Sequence, residues 1–179
     1  MMTTEQVIAM ALEVGFDHVG EIDPKDLKFL PEVRDMCSAN RCHSYNKSWA
    51  CPPACGTLEE ITERARQYHR GIVIQSTGQM EDDFDVECMM ETEKLQKKRF
   101  FEIIKLLQEE FPNCLGMSAG TCTLCPKCAY PGEPCRHPEL MFPSMEAYGL
   151  LVSDACTSAG LEYYYGKNTM TYTSCILLD

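Results

Sequence analysis

Positive charge is scarce in this chain of 179 residues: 16 Lys and Arg stand against 27 Asp and Glu, a formal net charge of −11 at pH 7. Wrapping nucleic acid needs a basic face for phosphate contacts, so that class is excluded. The short basic stretch Lys97, Lys98, Arg99 is read as the solvated side of a helix. Long apolar runs are missing too. The opening MMTTEQVIAMALEVG has no basic start, no continuous apolar stretch and an acid at Glu5, so neither a secretory leader nor a membrane span is expected, and the protein is placed in the cytoplasm. Catalytic signatures are equally absent: there is no Walker-type phosphate loop, no nucleophile elbow, no G-x-G-x-x-G after a strand and no H-E-x-x-H. Nucleotide-driven and covalent catalysis therefore lack support, and no reaction is assigned.

Cysteine is what the chain has in excess, with 12 residues. That density approaches disulfide-stapled scaffolds, but those are shorter and secreted. With 45% apolar and 24% charged residues, this chain can bury a core without crosslinks. In a reducing compartment the default use of clustered cysteines is metal binding or redox chemistry, and a disulfide loop fails on compartment.

Periodicity predicts the order α-β-α-β-α-β-α-β-β. Thr3 with Gln6 makes a capping box for a helix over 4–14, with Val7, Ala11 and Val14 on one face and Gly15 as its stop. Strand-like Phe16 to Ile22 follows, then a less regular stretch punctuated by Pro24 and Pro31. Thr57 and Glu60 form a second capping box, with Leu58, Ile61, Ala65 and Tyr68 on one face, before a strand at Ile72 to Ile74. The acids Glu81, Asp82, Asp83 and Asp85 suit the amino terminus of the longest helix, whose face carries Met89, Phe100, Ile103 and Leu107. A strand at Cys114 to Ala119 leads into a Pro- and Gly-rich loop. Ser144 is expected to cap a helix bearing Met145, Tyr148, Val152 and Ala155 and closed by Gly160. Leu161 to Tyr165 and Thr171 to Leu178 read as paired strands, with at least one of Tyr163, Tyr164 and Tyr165 buried. No repeat or linker divides the chain. The expected fold is a single α/β domain over 1–179, one mixed sheet flanked by helices, with cysteine-rich loops at about 36–56 and 120–138 at a sheet edge.

The sharpest motif is Cys122, Cys125 and Cys128, followed by Cys135. Thiolates at i, i+3 and i+6 can wrap one small inorganic core, as in the C-x2-C-x2-C run of bacterial ferredoxins that binds an iron–sulfur cubane. Structural zinc sites usually pair two knuckles a dozen or more residues apart, and zinc is the alternative here. The fourth cysteine departs from the ferredoxin pattern: it comes after six residues and precedes Arg136. Cys114 is the spare ligand should Cys135 prove unattached. Lys127, Arg136 and His137 either offset the charge of a thiolate-ligated core or are plain solvated charge.

Cys37, Cys42, Cys51 and Cys55 form a second, less specific set. Pro52 and Pro53 keep Cys51 out of a helix and are expected to hold the chain extended. Trp49 and Tyr45 are core residues or a shield against water, and His43 is an optional ligand. This group either binds its own metal centre or lends Cys51 or a neighbour to the later loop. Cys88, Cys114, Cys156 and Cys175 lie singly and read as small buried hydrophobes.

The pattern Cys42, Tyr45, Trp49, Cys51, Pro52, Pro53, joined to Cys122, Cys125, Cys128, then Pro134 to Pro138 and Pro143 to Ala147, resembles a bacterial and archaeal family known only as predicted metal-binding proteins, domain of unknown function 2284. The resemblance implies a cysteine-ligated metal, iron–sulfur in kind, in an anaerobe's cytoplasm, and no agreed reaction.

Three functions follow. A cluster held by four cysteines has no open coordination site and suits one-electron transfer, so the first is an electron-transfer or redox-accessory protein with one or two [4Fe–4S] clusters, serving a redox partner protein. The second is an iron–sulfur enzyme of reductive or sulfur-transfer type with an open iron. The third is a zinc-stabilised interaction module.

Overall fold

In the computed structural model, which describes residues 2–179, the chain runs α1 (Thr4–Val14), β1 (His18–Ile22), α2 (Pro31–Ser38), α3 (Leu58–Ala65), β2 (Arg70–Gln79), α4 (Val86–Gln108), β3 (Leu115–Met117), α5 (Val152–Ser158) and β4 (Thr169–Leu178). Both capping boxes start helices as expected. The Gln6 N–H donates to the Thr3 hydroxyl at 3.3 Å and the Thr3 N–H to the Gln6 side chain at 2.8 Å, and Gly15 ends α1 in the left-handed region at φ 112°. Thr57 and Glu60 do the same for α3. Of the acidic run, Asp85 is the cap of α4: its carboxylate accepts from the Cys88 N–H at 3.0 Å.

One sheet of order β1-β2-β4-β3 lies between helices, the expected α/β layering. Every neighbouring pair is antiparallel, so the sheet is not mixed in direction. The reason is topological. β2 and β3 run the same way and α4 connects them, but β4 inserts between the two and pairs with both in the opposite sense. Alternation along β2 and β4 then splits the core. Ile72, Ile74, Ile176 and Leu178 face α1 and α4 with Val7, Phe100 and Leu107. Val73, Cys175 and Leu177 face Ile61, Ala65, Met145, Leu150 and Ala155 on the other side.

The structure departs from expectation where tertiary contacts override local pattern. Pro31, read as punctuation, occupies the first turn of α2, where its missing N–H costs nothing. Ser144 caps a single turn, accepting from the Ala147 N–H at 3.0 Å, and not a long helix. Its neighbours are drawn to the sheet edge, with the Ser118 N–H donating to the Pro143 carbonyl and the Met145 N–H to the Ser118 carbonyl. Gly149 then turns the chain at φ 90°, and α5 begins only at Val152. Leu161 to Tyr165 is not a strand. Gln75 reaches up from β2 and holds this segment across the sheet face: its Nε2 donates to the Glu162 carbonyl, and its Oε1 accepts from the Tyr165 hydroxyl at 2.7 Å. Tyr165 also stacks on His18 at 3.9 Å between centroids, while Tyr163 and Tyr164 are exposed and none of the three is fully buried. Lys97 and Arg99 are not solvated either: they pair with Glu93 and Asp17 at 3.0 and 3.2 Å.

Gly20 of β1 lies directly under the end of α5, where a Cβ would collide with the Ala159 carbonyl and meet Leu161 at 3.0 Å. Overpacking of this kind costs about 1–3 kcal/mol. Gly20→Ala is accordingly expected to lower the urea midpoint with an unchanged slope; an unaltered midpoint would show that α5 does not seat there.

Candidate metal centre

The loop between β3 and the turn at Ser144 starts and finishes at one point, because Ser118 bonds to residues on both sides of Ser144. α4 grips its entrance. Lys97 donates to the Thr121 carbonyl at 2.7 Å while paired with Glu93, and Gly120, at φ 68°, sits where a Cβ would be 2.6 Å from a Glu93 oxygen. Phe142 packs on Phe100 at the exit. Inside this closed loop Cys122, Cys125, Cys128 and Cys135 all line one cavity of about 270 Å³. Arg136 and His137 line it too, and the first cysteine segment contributes His43, Lys47, Ser48 and Trp49. Lys127 does not line it; its carbonyl accepts from Arg136 at 3.0 Å.

Cys122 and Cys128 differ in their electrostatics. Burial raises Cys122 first of all, a backbone bond from Leu124 opposes this, and the neighbouring Cys135, Cys128 and Cys125 raise it further. Burial also acts to raise Cys128. Hydrogen bonds from the backbone N–H groups of Tyr130, Trp49 and Ala129 and from the Ser48 hydroxyl outweigh it, and this thiol ends below its ordinary value. Oriented N–H groups converging on one sulfur are how a protein stabilises a thiolate before any cation arrives.

The amino-terminal set is built differently. Cys37 stands in the last turn of α2, with its sulfur 3.8 Å from the Glu146 carbonyl. Pro52 and Pro53 lie in a turn rather than an extended stretch: the Cys55 N–H donates to the Cys51 carbonyl at 3.1 Å and the Asn46 N–H to the Pro52 carbonyl at 2.9 Å. Cys37, Cys42 and Cys51 line a second cavity of about 180 Å³, together with Tyr45, Thr121 and Glu146. Cys55 does not line it. Burial and the thiols of Cys42, Cys55 and Cys37 push Cys51 up to about 11, against a weaker bond from Ser48. Glu146 is exposed as a residue, yet burial around its carboxyl, only partly opposed by a backbone bond and by Ser144, raises it above the ordinary carboxylate value.

The two segments meet. Cys51 lines only the second cavity. Contact runs through Trp49, whose Nε1 donates to the Glu133 carbonyl at 3.0 Å and whose ring meets Tyr130 edge-on at 4.9 Å, and through the Tyr130 hydroxyl, which donates to Asn46 at 2.7 Å. Trp49 and Tyr45 thus border the two cavities and are not core residues. His43 borders the carboxy-terminal cavity, away from the thiols of its own segment. Cys114 is buried in the core beside Phe111, pushed up to about 11 by burial and then by Asp179, and touches neither cavity. Cys175 is fully buried and pushed up to about 12, first by burial. Among the described residues, no three His, Cys, Asp or Glu side chains close on one point as a single bound ion requires.

Sequence reasoning missed Lys47 and Ser48, which carry no recognisable spacing. It missed the role of Arg34 as well, which fixes the turn after Cys55 by donating to the Gly56 carbonyl at 2.7 Å and the Ala147 carbonyl at 3.0 Å. Glu146 had a signal, since it falls inside the Pro143 to Ala147 motif.

The uneven thiols make a direct prediction for the metal-free chain. Cys128 holds more thiolate than Cys51 at any pH below both, so iodoacetamide at mildly alkaline pH should label Cys128 well ahead of Cys51 and Cys122 by peptide mass spectrometry. Equal rates at Cys128 and Cys51 would show that the N–H groups do not act on Cys128.

No helix among the described residues is long and apolar enough to cross a membrane. No curated protein and no solved structure matches the chain. Residues 20–178 match the family described as predicted metal-binding protein, DUF2284, and on that coverage of a cysteine-rich chain with two thiol-lined cavities, this protein belongs to that family.

Proposed function

We propose that this chain is a cytoplasmic iron–sulfur protein, one domain over 1–179, that holds a [4Fe–4S] cluster on Cys122, Cys125, Cys128 and Cys135 and a second cluster in the amino-terminal segment, and that passes single electrons to a partner protein. The observation that carries the reading is the convergence of all four carboxy-terminal thiols on one cavity, where hydrogen bonds at Cys128 favour its ionised form. Separate irons each take one thiolate in a cubane, which is in keeping with sulfurs that surround a cavity without meeting at a point. The C-x2-C-x2-C spacing supports the same core over zinc.

When bound, a four-thiolate cluster supplies one-electron chemistry with no vacant iron. The chain's own residues account for the rest. Lys47 and Arg136 place cationic side chains at the cavity and offset the negative charge of the thiolates, which raises the potential at which an electron is accepted. Trp49, packed against Tyr130, covers one side and limits the access of water. The net charge of −11 favours encounter with a partner whose docking face is basic.

Anaerobic purification from iron-replete cells tests the reading. The expected protein contains iron and acid-labile sulfide in equal amounts, with a broad visible absorption that a reductant bleaches. Cys128→Ser is expected to remove roughly half of both, the share of one cubane among two. A colourless, zinc-loaded protein would overturn the assignment. Acidification should release the metal, because free thiols bind protons that the ligated thiolates do not, so falling pH favours the metal-free form.

A further inference from the structure

The two cavities differ in their donor sets, and the difference has chemical content. All four cysteines of the carboxy-terminal motif line their cavity, but only three of the amino-terminal four line theirs. The fourth, Cys55, is turned toward the core: its sulfur lies 3.5 Å from the Ala147 carbonyl and 3.9 Å from Nη1 of Arg34, and it packs against the cluster around Ile61, Tyr148 and Leu150. Arg34 bonds at once to Gly56, next to Cys55 in the chain, and to Ala147, and so holds the backbone of this turn where the Cys55 sulfur meets the Ala147 carbonyl. In place of a fourth sulfur the cavity has Glu146, beside Tyr45 and Thr121.

We infer that the amino-terminal centre is held by three thiolates, Cys37, Cys42 and Cys51, with the carboxylate of Glu146 facing the position a fourth would take, so that one iron there is open to a small exogenous ligand. A carboxylate oxygen is a harder donor than thiolate and holds iron less firmly, so it yields to an incoming ligand where a cysteine would not. At about 180 Å³ the cavity falls below the several-hundred Å³ range of pockets for drug-sized organic molecules, which restricts that ligand to a few atoms. The carboxy-terminal centre would then relay electrons to a centre that binds the molecule they are meant for. This inference rests on the iron–sulfur reading above and goes beyond it.

The test uses the full chain loaded anaerobically, with cyanide as the probe. In the wild type, cyanide is expected to change the spin-resonance signal of one of two reduced clusters and leave the other untouched. Cys55→Ala should keep wild-type iron and sulfide and the same cyanide response. Cys51→Ser should lose one cluster's iron together with that response, and Glu146→Gln should respond at several-fold lower cyanide because the competing carboxylate is gone. Loss of iron in Cys55→Ala equal to that in Cys51→Ser would overturn the inference while leaving the iron–sulfur assignment intact. So would a loaded wild type in which neither cluster responds, a result that depends on no variant's folding. A wild type that takes up no iron and sulfide would overturn the iron–sulfur assignment, and this inference with it.

Discussion

Drawing several thiols into one half-buried pocket works against itself. Each sulfur loses hydration as it is enclosed, and each ionised neighbour makes the next ionisation harder, so burial and mutual repulsion both hold the protons on. Cys51, pushed up to about 11 against a single opposing bond from Ser48, shows this conflict little relieved. Cys128 shows relief by hydrogen bonding, since backbone N–H groups from two separate cysteine segments point at it. A bound cation resolves the remainder by displacing the protons, which ties the order of these loops to metal uptake under the proposed function.

The scaffold serves that pocket through one long helix. α4 spans 23 residues; its apolar face packs on β2 and β4, and its Glu93 and Lys97 hold the mouth of the carboxy-terminal loop. The paired side chain of Lys97 is only 14% exposed, so this contact is more specific than a solvated surface ion pair. β4, inserted between β2 and β3, fixes the end of β3 from which the loop departs, and Ser118 brings the returning chain back to that end. The amino-terminal segment is tied in turn to this loop through Trp49 and Tyr130, so neither cysteine segment is positioned alone.

The asymmetry between the two cavities follows from how each is framed. The carboxy-terminal one is framed by a closed loop that brings all four of its cysteines to the lining, with the segment from His43 to Trp49 on its other side. The amino-terminal one is assembled from the end of α2, the turn at Pro52 and Pro53 and the segment after Ser144, and Arg34 stitches these together by taking carbonyls on two of them. Cys55 lies outside the lining of this cavity and Glu146 within it.

Local chemistry determined a good part of this protein from sequence alone: the capping boxes at Thr3 and Thr57, the stop at Gly15, the acidic start of α4, and the spacing of Cys122, Cys125 and Cys128 all depend on neighbours within a few residues, and such neighbours are written next to each other in the chain. What only the tertiary structure decided depends on partners far apart in sequence. Ser144 lost its predicted helix to Ser118, Leu161 to Tyr165 lost its strand to Gln75, and Cys55 came to rest against the Ala147 carbonyl and Arg34, outside the lining of the cavity that Cys37, Cys42 and Cys51 share. Each outcome was settled by a hydrogen bond whose donor and acceptor meet only once the chain has folded, and no periodicity or spacing records such a bond.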